Sequence, residues 1–280
     1  MKTFDAHVHA MCDGWDVKTL KSELQAGEVS GAALISLPPE ASPFPEETKI
    51  KAAADRLEML MRCCAGPQDG SNGATLFPFF WIDPFEDDAL EQAESASRAG
   101  VSGFKIIFSR EYPSHPQAMS LFRKIAELRK PLLFHSGILY DNAVSGKFNR
   151  PLEFECLMDV SNLKFALAHM SWPWTDECLA LFGKFQFLAG CRPGVSQMFI
   201  DMAPGTPKIY RRDVLTKLFT GGYKVEDRLL FGSDNIASCY DVKHMDGWRK
   251  MDMEIMKENG VGQEAVEKYF AGNFLAFIGR

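Results

Sequence analysis

Eight short apolar, β-branched or aromatic runs recur along the chain, and they limit the folds open to it. They are FDAHVH (4–9), GAALISL (31–37), TLFPFFWI (75–82), VSGFKIIF (101–108), PLLFHSG (131–137), LKFALAHM (163–170), FQFLAG (185–190) and RLLFGSD (228–234). Most are nearly continuous, without clean polar/apolar alternation, which is the pattern of strands buried on both faces of a parallel sheet. Helix-period segments separate them: 15–27, 45–64, 85–100, 116–130, 150–160, 174–184 and 211–220, with two or three more helices within 243–278. Gly27, Arg98 before Gly100, and Pro116 in a first turn supply helix punctuation. Strands alternating with helices predict a parallel α/β fold with right-handed crossovers. Eight such units in 280 residues predict a closed (β/α)8 TIM barrel over 1–280 as a single domain, with an open doubly wound sheet as the rival. GPQDGSNGA (66–74) reads as a flexible connection on the face away from the barrel's mouth.

Composition narrows the function classes. A formal net charge of -6 and a pI near 5.6 give no electrostatic footprint for nucleic acid. The seven cysteines are odd in number, irregularly spaced and without a C-x-x-C, as expected of reduced thiols in a cytoplasmic protein. No apolar stretch approaches the roughly 18 residues of a membrane span, and Asp5 and His7 stand where a signal peptide needs an apolar run.

The polar residues inside the apolar runs carry the chemistry. His7 and His9 end the first run, Lys105 sits within the fourth, and His135, His169 and Asp234 end the fifth, sixth and eighth. In a barrel those ends converge on one mouth, where catalytic groups gather. Residues i and i+2 of a strand share a face, so His7 and His9 offer a two-point grip on a metal. Neutral imidazoles and carboxylates suit zinc, manganese or iron, and such an ion would acidify a bound water. A third histidine, His135 or His169, and Asp234 from other strand ends could complete such a site with one position open for water. Alone, Lys105 also reads as a snorkelling or paired lysine. Asp5 reads as a buried, hydrogen-bonded support on the same face, and Val8 as an outward core residue.

DAHVH near the N-terminus, HSG after the fifth run, AHMSWPW after the sixth and FGSDN after the eighth resemble the amidohydrolase superfamily, over nearly the whole chain. Within it, the chain is similar to the compact amidohydrolase-related branch, which includes aminocarboxymuconate-semialdehyde decarboxylase. YFAGNFLAFIG (269–279) is similar to that branch's closing helix, with Asn273 at the matching position. The resemblance implies a metal-dependent TIM-barrel enzyme in which Asp234 transfers a proton and His169 is a second-metal ligand or an acid/base. On that resemblance the expected ligands are His7, His9, His135 and Asp234 on one divalent ion, zinc first, with His169 and Lys105 joining if a second ion is present. Lys105 is similar to a strand-four lysine that some members carbamylate to bridge two metals. Members such as dihydroorotase carry a flanking β-sandwich; His7 comes too early to leave room for its N-terminal half, so a bare barrel is expected.

The expected reaction is hydrolysis of a C–O or C–N bond, in a lactone, ester or amide, of a small carboxylated molecule. Asp234 and His169 are the expected catalytic groups. Arg192 after the seventh run is the expected carboxylate clamp, and Trp172, Tyr140 and Lys105 further substrate contacts. Trp174 could wall an apolar or planar substrate together with Trp172, or SWPW could be only a rigid turn into the next helix; Arg150 and Arg110 are weaker candidates, and His115 and His244 read as ordinary loop or helix-start residues. The alternative is a non-oxidative decarboxylase or hydratase, a lyase acting on an aromatic or muconate-like acid; chain length favours hydrolysis. A metal-free lactonase and an inactive ligand-binding barrel stand behind these. A homodimer is left open.

Overall fold

Eight parallel segments pair in chain order, and the last of them is split so that it meets the first. The computed structural model describes residues 1–11, 14–40, 52–65 and 73–280. The strands are β1 (Phe4–His9), β2 (Gly31–Ile35), β3 (Thr75–Trp81), β4 (Gly103–Ile106), β5 (Leu132–Phe134), β6 (Lys164–Leu167), β7 (Gln197–Asp201) and β8 (Leu229–Leu230). Each is parallel to its successor. The eighth segment then supplies β9 (Asn235–Ile236), which pairs with β1. Across the same seam the Ala6 amide donates to the Phe231 carbonyl at 2.9 Å. The sheet therefore closes as a (β/α)8 barrel. Among the described residues it is the one sheet, with no flanking β-sandwich.

Helices wrap the barrel as their punctuation requires. They are α1 (Val17–Ala26), α2 (Ala53–Cys63), α3 (Ala89–Ala99), α4 (Pro116–Glu127), α5 (Thr175–Cys191), α6 (Lys208–Thr220), α7 (Val242–Glu258), α8 (Gln263–Glu267) and α9 (Asn273–Ile278). Asp16 caps α1 by accepting from the Lys18 amide, and α3 ends on Gly100 at φ 98°. The segment expected as a helix over 150–160 is instead a 3-10 helix, Pro151–Asp159. The start of the expected helix over 45–64 and most of the 66–74 connection lie outside the described residues, as does Cys12. No helix among the described residues is long and apolar enough to cross a membrane.

One strand assignment needs correction. FQFLAG (185–190) is the C-terminal half of α5, and the seventh strand is QMFID (197–201). Cys178, Leu181, Phe182 and Phe185 are buried at helical spacing, whereas Phe187 is exposed. A short apolar run does not by itself distinguish a strand from a helix segment. The correction moves Arg192 to the C-cap of α5, exposed, on the connection entering β7 from the face opposite the mouth. It places Asp201 at the C-terminal end of β7 instead.

The barrel interior holds Phe4, Ala6, Phe77, Phe79, Leu133, Ala166 and Phe199, and α9 plugs its N-terminal end. Phe274 stacks on Phe4 and Phe277 on Phe79, with centroids 5.6 and 6.4 Å apart. The Asn273 amide secures this plug by donating to the Glu226 and Leu229 carbonyls. A register shift between Asp5 and Val8 alters the alternation of β1. Phe4 and Ala6 therefore share the interior with His7, while Val8 packs outward among the helices. Asp5 is not on the histidines' face. It reaches Ser233 and Tyr240, accepting from the Ser233 amide, the Ser233 hydroxyl and the Tyr240 hydroxyl at 2.5–2.9 Å.

Candidate active site

The strand ends bring the predicted polar residues together at the mouth. His7 Nε2 and His9 Nε2 are 3.0 Å apart, and Asp234 Oδ1 lies 3.5 Å from the first and 3.7 Å from the second. His7, His169 and Asp234 each place a ligand atom within 4.8 Å of the others. The His169 ring is 5.2 Å from the ring of His7 and 4.9 Å from that of His135. Lys105 Nζ, fully buried, sits 3.3 Å from His7 Nε2.

The backbone supports this convergence at some conformational cost. His169, Met170, Ser171 and Asp234 all have φ between 47° and 61°, a left-handed conformation that non-glycine residues adopt where surroundings enforce it. Two glycines make the room. A Cβ on Gly205 would come within 2.5 Å of His169 Cβ. One on Gly232 would lie 2.9 Å from Asp201 Oδ1 and 3.0 Å from His7 Cβ.

Asp201, missed in the sequence, orients the site. Its Oδ2 is 2.5 Å from His7 Nδ1, and its Oδ1 accepts from the Ala203 amide at 2.8 Å. A carboxylate on Nδ1–H fixes the tautomer that leaves Nε2 as a lone-pair donor. His169 has the same arrangement more weakly, with Nδ1 3.3 Å from the Ala203 carbonyl. Behind Asp201, buried Arg211 donates to the Met202 carbonyl at 2.7 Å and forms a two-point ion pair with Asp252, which also accepts from Tyr269. The signal for Asp201 was an acid ending an apolar run, obscured by the stronger run that precedes it.

The electrostatics are those of ligand groups removed from water. Burial, reinforced by the Lys105 charge, holds His7, His9 and His135 well below the ordinary histidine range and lowers His169 to about 4. Burial pushes Asp234 up to about 7, and it lowers Lys105 to about 8 against the pull of Asp201 and Asp234. His9 Nδ1 and His135 Nε2 are buried with no hydrogen-bond partner. Neutral imidazoles around a carboxyl, with His7 Nε2 facing His9 Nε2 and orphaned ring nitrogens nearby, fit a divalent cation by donor chemistry. A cation there also removes the penalty for ionising Asp234.

A cavity of about 260 Å³ opens over this cluster. His9, Lys105, His135, His169 and Asp234 form its polar side, and Ile107, Leu139, Trp172 and Ile236 are among its apolar walls. Tyr140 stands at its rim. Trp174, Arg150 and Arg110 do not line it. Arg150 packs over Trp174 and binds Glu177, and Arg110 pairs with Asp83 at 2.7 Å. His115 caps α4, and His244 accepts from the Trp248 indole.

The chain belongs to the amidohydrolase family, whose model, described as Amidohydrolase, matches residues 5–280. No curated protein matches it significantly. Solved structures share the fold. A probable 2-pyrone-4,6-dicarboxylic acid hydrolase from Acinetobacter baumannii, with citric acid bound, is 12% identical over 100% of both chains, with a TM-score of 0.62. A 2,6-dihydroxybenzoate decarboxylase complexed with 2,6-dihydroxybenzoate is 15% identical over 99% of this chain and 98% of its own, also at 0.62. A D-hydantoinase is 10% identical over 98% of this chain and 70% of its own, at 0.66. The family model thus makes the chain an amidohydrolase-family protein, and the solved structures share its barrel fold.

Proposed function

We propose that the protein is a metal-dependent hydrolase that cleaves a C–O or C–N bond, in a lactone, ester or amide, of a small carboxylated molecule. The observation that carries this reading is the meeting of His7 Nε2, His9 Nε2 and Asp234 Oδ1 within 3.7 Å, with His7 fixed through Asp201. His7, His9, His135 and Asp234 would hold one divalent ion, zinc before manganese or iron, and His169 and Lys105 would serve a second. Bound there, the ion supplies Lewis acidity at the reacting bond and acidifies water.

The chain's own groups do the rest. Asp234 takes the proton of the attacking water and returns it to the leaving group. His169, held through Nδ1, turns Nε2 towards the substrate oxygen. With Arg192 on the far face, the carboxylate contact falls to Lys105, the cation lining the cavity among the described residues. Trp172 and Tyr140 wall the substrate, and the apolar lining thins the water around it. Cytoplasmic location belongs to the same proposal.

Decarboxylation of an aromatic acid is the second reading, favoured by the near-complete mutual coverage with the 2,6-dihydroxybenzoate decarboxylase. Metal-reconstituted protein tested on lactones and esters should consume base and release no carbon dioxide from aromatic acids; carbon dioxide release alone selects the decarboxylase.

A further inference from the structure

The apolar lining of the cavity does not stop at its mouth. Ile138, Tyr140 and Ile236 line the cavity and also stand on the outer surface, 39%, 80% and 39% exposed. Trp172 lines it too, and its ring stacks on Tyr210 with centroids 4.7 Å apart and planes 27° from parallel. Tyr210, near the start of α6, is itself 46% exposed. A strip of apolar side chains thus leads from the polar floor, past Trp172 and its stack on Tyr210, to the rim. Exposed apolar side chains joined in this way to a ligand cavity suit an apolar part of its ligand. At about 260 Å³ the cavity lies at the small end of ligand sites. A ligand whose reacting bond sits beside Asp234 reaches the strip only through an extension of its own.

We propose that the substrate carries a medium-length apolar acyl or alkyl chain that leaves the cavity between Ile138, Tyr140 and Trp172 and lies along Tyr210 and Ile236. This rests on the hydrolase reading above. Those side chains then determine chain-length specificity, while Lys105 and the histidine cluster receive the polar head. The strip is continuous with the site, which favours the substrate's own tail over a second copy of the protein.

Calorimetric titration of the zinc-loaded protein with acetohydroxamate, butanohydroxamate and octanohydroxamate tests this, because a hydroxamate head seeks the metal and needs no turnover. Burial of methylenes along the strip predicts octanohydroxamate at least about tenfold tighter than acetohydroxamate. That ratio should fall at least about threefold in Tyr210→Ser and in Ile236→Ser, each lacking part of the apolar strip. A wild-type ratio below about threefold, less than one buried methylene supplies, overturns the proposal; so does a ratio unchanged in both variants. A dimer in sedimentation that Tyr210→Ser converts to monomer assigns the strip to a second copy and also overturns it. Failure of acetohydroxamate to bind at any zinc occupancy removes the metal centre on which the hydrolase reading depends and overturns the proposal with it. Binding without chain-length preference overturns the proposal alone.

Discussion

His7 Nδ1 lies 2.5 Å from Asp201 Oδ2, a contact that joins the first and seventh strands across 194 residues of sequence. Through it the buried carboxylate decides which face of the His7 ring is free. Nε2 is left pointing at His9 and Asp234, so the geometry of the mouth depends on a residue that does not line the cavity.

Asp201→Asn should therefore weaken metal binding by about 10–100-fold, the usual scale for loss of a carboxylate behind a ligating histidine. Chelator competition measures it. Metal affinity equal to wild type would remove Asp201 from the site's support.

Asp234→Asn keeps the shape of the side chain and removes its basicity. Turnover should fall by about 2–3 orders of magnitude, the contribution of one general base, with circular dichroism unchanged. A variant turning over at close to the wild-type rate would contradict the proton-transfer role.

Gly232→Ala sets a methyl 2.9 Å from Asp201 Oδ1 and 3.0 Å from His7 Cβ. Overpacking of this kind should destabilise the protein by about 1–3 kcal/mol, read as a lower denaturant midpoint. Gly247→Ala is the matched control. Gly247 lies within α7 with nothing within 4 Å of the added carbon. That substitution should stabilise by about 0.5–1 kcal/mol. Equal effects from the two would show that the space around Gly232 is not under constraint.

Arg211→Met leaves Asp252 buried without its cation and the Met202 carbonyl without its donor. Breaking a buried ion pair from one side should cost about 3–5 kcal/mol in urea unfolding. A loss below about 1 kcal/mol, typical of a surface pair, would show that the pair is not holding the end of β7.

Most of the mouth was legible because its residues violate their surroundings. His7, His9, Lys105, His135, His169 and Asp234 are polar groups at or near the ends of apolar runs, and barrel closure brings such ends together. Asp201 was not legible for a local reason. QMFID is short and begins with Gln, while FQFLAG upstream is the more apolar run, and only the burial of Cys178, Leu181, Phe182 and Phe185 along one helix face exposes it as helical. Arg192 was misplaced by the same exchange. The direction of Asp5 was hidden because the register shift in β1 breaks the period-2 rule on which its placement relied. The stack of Trp172 on Tyr210 joins the segment after β6 to the first turn of α6, which only tertiary packing brings together.

Metal content of freshly purified protein bears on all of this at once. The ligand set of His7, His9, His135 and Asp234 predicts about one equivalent of divalent metal, zinc above the others, lost to a chelator with a fall in melting temperature and restored by adding zinc. Less than about a tenth of an equivalent of any transition metal, with no gain in stability or activity on adding one, would contradict a metal centre at the barrel mouth.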